Sequence, residues 1–153
     1  MNILALDTAT HTGYAYMKSG AAFSGVWKNS VRHVDSPGRF FRNFGDWLVD
    51  MRRWCQPEVV AFEMPHPHSG HSAAVAYGMI AHVLVWACRH DMRVMRVAPN
   101  TLKKFTTGNG RADKLAMIRA MRKRWNLPRL NDDDQADALA VLAWALKHTK
   151  PEA

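Results

Sequence analysis

The chain is poor in cysteine, and the spacing of its two cysteines is not typical of a disulfide framework. Cys55 and Cys88 form no close-spaced pair, whereas disulfide-stapled proteins and zinc modules with cysteine ligands need several cysteines at short spacings. The pattern disfavours both classes. We expect two reduced thiols with a structural role.

Membrane and export signals are also lacking. No apolar run approaches the roughly 20 residues that cross a bilayer, and the first residues lack a basic region followed by an apolar stretch and a cleavage site. A hydrophobic content of 48% is too high for a disordered chain. We therefore expect a soluble globular protein of the cytoplasm, or of the host cytoplasm if it is viral. A single domain is expected over residues 1–150, with a tail at 151–153.

Acidic residues are scarce, since 13 Asp and Glu stand against 21 Lys and Arg, and the net charge is +8. The excess is local, because residues 103–129 contain nine basic residues and one acid, and nine minus one equals the whole net charge. The nine are Lys103, Lys104, Arg111, Lys114, Arg119, Arg122, Lys123, Arg124 and Arg129. A basic surface indicates a polyanionic partner, although a solvated helix face gives the same composition.

The order of apolar runs and helical patterns predicts an α/β protein. Short continuous apolar runs are typical of buried strands, and apolar residues at helical spacing are typical of amphipathic helices. Strands are predicted over residues 3–6, 14–17, 22–27, 59–62 and 92–97. Helices are predicted over residues 37–51, 72–90, 112–125 and 132–147, with a short one that begins at Pro99. No linker or repeat interrupts this order, which is typical of one sheet flanked by helices.

Two acids directly follow predicted strands. Asp7 comes after the run at 3–6, and Glu63 comes after the run at 59–62. Ligands of open α/β sheets bind beside the carboxyl ends of the strands, so both carboxylates can reach one crevice. Each also has a simpler interpretation, since Asp7 can hydrogen-bond the following turn and Glu63 can be a polar residue leaving a sheet.

Two further acids lie on one face of the last predicted helix. Asp134 and Asp137 are three residues apart, and their face continues through apolar residues that must pack on the core. A carboxylate on such a stripe requires protonation, a cationic partner or a metal. Asp132 and Asp133 are interpreted as helix caps, and for Asp134 capping and metal binding both stay open.

Three segments resemble the active-site segments of the RuvC-type Holliday junction resolvases. They are Leu4-Ala5-Leu6-Asp7 with Thr12-Gly13-Tyr14, then Phe62-Glu63, and Asp134-Gln135-Ala136-Asp137-Ala138-Leu139-Ala140. In addition, Lys103 and Lys114 lie at positions similar to the two functional lysines of that family. The resemblance extends over nearly the whole chain. It implies an RNase H-like α/β fold, with a five-stranded mixed sheet of three antiparallel neighbours followed by two parallel strands.

The resemblance also implies an activity, a cofactor and partners. The expected protein is an endonuclease that resolves four-way DNA junctions by paired, magnesium-dependent phosphodiester hydrolysis and leaves 5′-phosphate and 3′-hydroxyl ends. Two Mg²⁺ ions per active site, replaceable by Mn²⁺, would be held by Asp7, Glu63, Asp134 and Asp137, with Lys114 as a further catalytic residue. A homodimer is expected because a junction has near two-fold symmetry. Expected DNA contacts are Lys103, Lys104, Arg111, Lys114, Arg119, Arg122 and Lys123, together with His66 and His68.

The sequence departs from the family pattern in two places. Asp7-Thr8-Ala9-Thr10 replaces the usual Asp-Pro-Gly, and the aromatic residue expected about three positions after Glu63 is missing. His66 is a candidate for the stacking role of that aromatic residue. A zinc site at His66, His68 and His71 is an alternative for this loop, which no nearby cysteine supports.

Other functions compete with the resolvase hypothesis. Within the same fold, a relaxed flap or branch endonuclease or an RNA-processing nuclease would use the same acids, and a junction-binding protein with a degenerate site would bind without cutting. From a different class, residues 3–10 resemble the phosphate loop of actin-like nucleotide-binding proteins. The chain is short for their paired lobes, and the segment beginning at Asp134 has no place in them.

Overall fold

The computed structural model describes residues 1–66 and 70–149. The strands are β1 (Ile3–Asp7), β2 (His11–Lys18), β3 (Ala21–Lys28), β4 (Val59–Glu63) and β5 (Arg93–Val97). The helices are α1 (Pro37–Cys55), α2 (Gly70–Arg89), α3 (Pro99–Thr107), α4 (Lys114–Trp125) and α5 (Asp133–His148). All predicted elements are present in the predicted order, with ends that differ by a few residues.

The strands form one mixed sheet in the order β3-β2-β1-β4-β5. β1 pairs antiparallel with β2 and parallel with β4, while β2–β3 is antiparallel and β4–β5 is parallel. The two residues of the β2–β3 turn, Ser19 and Gly20, have φ values of 51° and 80°. Positive φ at both positions is typical of the tight hairpin turn that matches the twist of antiparallel strands. The expected five-stranded mixed sheet is confirmed.

Strand alternation separates the apolar residues into two cores. In β1, Leu4 and Leu6 join the core that α1 and α2 cover, while Ile3 and Ala5 join the core that α4 and α5 cover. Successive side chains of a strand point to opposite faces of the sheet. Asp7 therefore shares the face of Ile3 and Ala5, and it projects on the side of α5.

The same alternation places Glu63 beside Asp7. In β4, Val59 and Ala61 belong to the α5 side, so Glu63, two residues further, also faces that side. Because β1 and β4 are parallel neighbours with Leu6 opposite Phe62, both acids lie at one edge of the sheet.

The amino end of α5 lies unusually close to β2. A Cβ atom built on Gly13 would come within 1.9 Å of the backbone carbonyl oxygen of Asp134, so only glycine fits between strand and helix. A second contact supports the same placement, since Gln135 Nε2 donates a hydrogen bond to Ser24 Oγ at 2.9 Å. These contacts fix the first turn of α5 above the edge where Asp7 and Glu63 lie.

Helix α2 is more apolar than the sequence pattern suggested. By length and composition it is apolar enough to cross a membrane, with a mean hydropathy of 1.4 over its best window, of which 44% is buried inside the protein. Its apolar character is not visible as an uninterrupted run, because polar residues such as His82 interrupt the sequence. One such helix is weak evidence for a membrane span, since core helices pass the same test. Here α2 buries Met79 and Val83 in the core shared with α1.

The Gly13 contact gives a stability prediction. Gly13→Ala should destabilise the fold by several kcal/mol or displace the start of α5, because the backbone carbonyl of Asp134 cannot rotate away as a side chain can. Chemical denaturation followed by circular dichroism measures the effect. Gly45→Ala is the control, since nothing lies within 4 Å of its Cβ position in α1; alanine there should stabilise the protein by roughly 0.5–1 kcal/mol. Equal stability of Gly13→Ala and the natural protein would contradict the assigned packing.

Candidate active site

Four carboxylates line one cavity of about 400 Å³, and one of them, Asp113, caps α4 through Ala116 N. The other three come from separated parts of the chain. Asp7 is the last residue of β1, Glu63 is the last residue of β4, and Asp137 lies in the second turn of α5. Lys103 and Lys114 line the same cavity. The structure thus brings together three of the four predicted acids and the two predicted lysines.

Burial raises the pKa values of these acids. Desolvation raises the pKa of Asp7 well above its usual range, and the negative charges of Asp137 and Glu63 add to the shift. The pKa of Glu63 rises to about 7, first by desolvation and then by Asp137. The pKa of Asp137 rises to about 6, again mainly by desolvation, with Asp133 and Asp134 contributing. A cluster of this kind is stabilised by protons or by a bound cation.

Asp134 lies at the margin of the cavity. It is half-buried and lines an adjacent groove instead. Its pKa is raised by desolvation and then by Asp133 and Asp132, while His11 and Lys114 lower it. Its charge also raises the pKa values of Asp7 and Asp137, so it is electrostatically coupled to the acids of the cavity.

A tighter group of acids is formed by Asp132, Asp133 and Asp134, whose carboxylate oxygens lie within 4.8 Å of one another. Two of them already have structural partners. Asp132 accepts a hydrogen bond from Gln135 N at 2.9 Å and caps α5, as predicted, and Asp133 pairs with Lys114 at 2.5 Å. Consecutive residues at the start of a helix are close because they are neighbours in the chain. Their proximity is therefore weaker evidence for a metal site than the convergence of Asp7, Glu63 and Asp137 from three separate segments.

Lys103 and Lys114 stand in different environments. Lys103 is half-buried in α3, and its charge lowers the pKa values of Glu63 and Asp137. Lys114 is the first residue of α4, at the position fixed by the cap that Asp113 forms with Ala116 N at 2.8 Å. The side chain of Lys114 is 80% exposed. Its hydrogen bond to Asp133 raises its pKa.

The other predicted DNA contacts are distributed unevenly. Four are exposed on α3, on α4 or in the turn between them, namely Lys104, Arg111, Arg119 and Lys123. Arg122 is different, because it is half-buried and its Nε donates to the carbonyl of Leu130. His66 is exposed and lines both the cavity and the adjacent groove. His68, and with it the alternative zinc site, lies outside the described residues.

Sequence reasoning missed several residues of this region. Thr8 is buried and lines both the cavity and the groove. Asp133, which the sequence predicts only as a helix cap, also pairs with Lys114 through its carboxylate. His11 and His33 line the groove, and no sequence motif includes them. Their sequence signal is weak: His11 begins β2, and His33 lies in the segment between β3 and α1.

Comparisons with known proteins agree with this architecture. The profile of the family described as crossover junction endodeoxyribonuclease RuvC matches residues 4–148. The protein of that name from Caldicellulosiruptor saccharolyticus is 32% identical over 148 residues, which cover 92% of this chain and 89% of the relative. The one from Chlamydia muridarum is 32% identical over 93 residues, or 60% of this chain. This chain spans about half of that relative, 55% of its length.

A solved structure of Thermus thermophilus RuvC in complex with a Holliday junction substrate is also similar. It has a TM-score of 0.77 and 22% sequence identity, and the match covers 92% of this chain and 90% of that chain. At this identity the likeness establishes the fold, and it confirms the expected RNase H-like architecture.

The raised carboxyl pKa values predict a pH-dependent stability. In EDTA, the free energy of unfolding should fall as the pH rises from about 4.5 to about 7, because over this range the folded protein binds more protons at Glu63 than the unfolded chain does. Glu63→Gln should remove at most about 3 kcal/mol of this fall. Urea denaturation at several pH values measures it, and Mg²⁺ should recover stability at pH 8.

The matched control is Asp46→Asn, which changes an exposed acid on α1. This variant should keep the pH dependence of the natural protein. If Glu63→Gln and Asp46→Asn had the same pH dependence, the proposed desolvation of Glu63 would be wrong.

Proposed function

The chain belongs to the crossover junction endodeoxyribonuclease RuvC family, and from this premise we propose that it resolves four-way DNA junctions by metal-dependent phosphodiester hydrolysis. The observation that carries the proposal is the convergence of Asp7, Glu63 and Asp137 with two lysines on one cavity. Carboxylates bind the cation and lysines bind the phosphate, so both requirements of phosphodiester cleavage meet in one place.

The donor set fits a hard divalent cation. Asp7, Glu63 and Asp137 offer only carboxylate oxygens, which magnesium prefers together with water and substrate phosphate oxygens. Burial, and to a smaller extent neighbouring negative charge, raises their pKa values, and a bound cation would stabilise their ionised forms. We propose that these three acids hold two Mg²⁺ ions, replaceable by Mn²⁺, and that Asp134 supports them from the margin. Bound magnesium would lower the pKa of a coordinated water and stabilise charge on the departing oxygen.

The remaining residues bind and orient the DNA. Lys103 and Lys114 lie on the cavity and would contact the phosphates next to the cut. Lys104, Arg111 and Arg119 would extend this contact along the backbone, which gives affinity without sequence information. Cleavage would leave 5′-phosphate and 3′-hydroxyl ends.

A junction presents two equivalent strands, and paired cuts require two active sites related by a two-fold axis. We therefore propose a homodimer of the single domain at residues 1–150, acting on branched DNA in the cytoplasm. Supporting this arrangement, the described part of each chain brings Asp7, Glu63 and Asp137 to one cavity, so each copy supplies these candidate ligands by itself.

Substitution of the metal ligands should separate cutting from binding. Asp7→Asn, Glu63→Gln and Asp137→Asn should each lower the rate of junction cleavage roughly 100-fold or more, while junction binding in EDTA stays within a few fold. Labelled four-way junctions, incubated with and without Mg²⁺, report symmetric nicks. Sealing of the products by DNA ligase reports 5′-phosphate and 3′-hydroxyl ends.

Asp132→Asn is the matched control for these variants, because Asp132 caps α5 and does not line the cavity. It should retain cutting. Cleavage of a flap without symmetric nicking of an intact junction would instead support a relaxed branch endonuclease. Junction binding without magnesium-dependent cutting would support a degenerate, binding-only protein.

Lysine substitutions should change the salt dependence of binding. Lys103→Ala and Lys114→Ala should each weaken junction binding and reduce the slope of log affinity against log salt by about one, because each removes one phosphate contact. Fluorescence anisotropy over a salt series measures the slope. Arg53→Ala is the control, since Arg53 lies near the end of α1, at the opposite edge of the sheet. An unchanged slope in both lysine variants would argue against these phosphate contacts.

A further inference from the structure

A groove of about 600 Å³ adjoins the carboxylate cavity and shares Thr8 and His66 with it. Beyond these, its walls include His11, His33, His71 and Arg32, with Asp134 at the boundary between groove and cavity. Its volume is within the range of roughly 300–1,000 Å³ that is typical of ligand sites. We call it the histidine groove.

The topology places the histidine groove on the side of the cavity away from the lysines. His11 begins β2, and His33 follows β3, and both lie at the edge of the sheet that carries Asp7, because β3 runs parallel to β1. Lys103 and Lys114 come instead from helices that follow β5 at the other end of the sheet. A DNA strand with its phosphate at the cavity can therefore continue past the lysines in one direction and past the groove in the other.

The ring of His33 is held in place by its neighbours. His33 packs edge-on against Phe40 and Phe41, with ring centroids 5.5 and 5.3 Å apart. Its Nδ1 is buried and has no hydrogen-bond partner among the described residues. The ring of His71 lies 5.4 Å from that of His33. Rings fixed before binding lose little conformational entropy when a planar ligand stacks on them.

Metal binding and simple phosphate binding fit the groove less well. Within residues 1–66 and 70–149, no set of three histidine, cysteine or acidic side chains in the groove brings its ligand atoms within 4.8 Å. The guanidinium of Arg32 is engaged by Asp35 at 2.7 and 3.0 Å. Imidazole rings beside a strand of DNA are instead suited to stacking on bases, which is tolerant of sequence.

We propose that the histidine groove binds the nucleotide next to the scissile phosphate on the side away from Lys103 and Lys114. Its base stacks on the exposed ring of His71 and contacts the ring of His33, which is tilted by 59° to that of His71. This assignment rests on the proposed function. In this assignment His33 and His71 bind DNA. They raise the affinity of the protein for the strand that is cut, and they align that strand at the cavity.

The test combines protein variants with abasic DNA. Junction binding is measured in EDTA for the natural protein, His71→Ala and His33→Ala, using junctions that lack the base on one or the other side of the mapped cleavage site. The natural protein should bind roughly 5- to 100-fold more weakly when the base on the groove side is removed. His71→Ala should bind intact DNA more weakly by a similar factor and lose little more on abasic DNA, since the two changes remove one contact.

His90→Ala is the matched control, because His90 is exposed beyond the far end of α2, and it should behave like the natural protein. His71 is also exposed, so its substitution tests the groove even if His33→Ala disturbs the packing on Phe40 and Phe41. Two results would overturn the groove assignment alone. In the first, removal of the groove-side base weakens binding by His71→Ala as much as it weakens binding by the natural protein. In the second, His71→Ala binds intact junctions as tightly as His90→Ala does. A natural protein that neither binds nor cuts junctions would overturn the proposed function, and the groove assignment with it.

Discussion

Desolvated carboxylates crowded at one edge of the sheet are the constraint on which the rest of the structure depends. Burial raises the pKa values of Asp7, Glu63 and Asp137, and the negative charge of Asp137 adds to the shifts of Asp7 and Glu63. Such an arrangement costs folding free energy unless protons or a cation compensate for it. The apolar surroundings that cause the cost also hold the acids in place, since β1 and β4 are buried up to the residue before each acid.

The placement of the acids was predictable where it follows from local periodicity. The positions of Asp7 and Glu63 follow from the ends of two apolar strand runs, and helical spacing places Asp137 on the core-facing side of α5. The pairing of Lys114 with Asp133 was not predictable, because the two residues belong to different helices and meet only after α4 and α5 have packed. The same reason applies to His33 and His71, which α1 and α2 bring together. For Arg122, the basic run did not reveal that its Nε donates a hydrogen bond to the carbonyl oxygen of Leu130; its predicted DNA contact stays a prediction.

The two flanks of the cavity differ in chemistry, and this difference follows from the topology. Residues after β5 are rich in lysine and arginine, so one flank attracts phosphates through long-range charge. Residues around the starts of β2 and α2 and after β3 supply rings instead. Charge brings a polyanion to the surface without fixing its register, whereas stacking acts only at contact distance and favours particular positions of a base.

The ion pair between Lys114 and Asp133 connects this asymmetry to the proposed metal ligands. Lys114 lines the cavity, yet its ammonium is bonded to Asp133 and not to Asp137. If Asp137 were the bonded partner, a cation would have to displace an ammonium before it could bind that carboxylate. Since Asp133 accepts the bond, the charge of Asp137 is left for a metal ion. The side chain of Lys114 stays at the rim of the cavity, 80% exposed. There a phosphate can compete with the partly exposed carboxylate of Asp133 for the ammonium group at small desolvation cost.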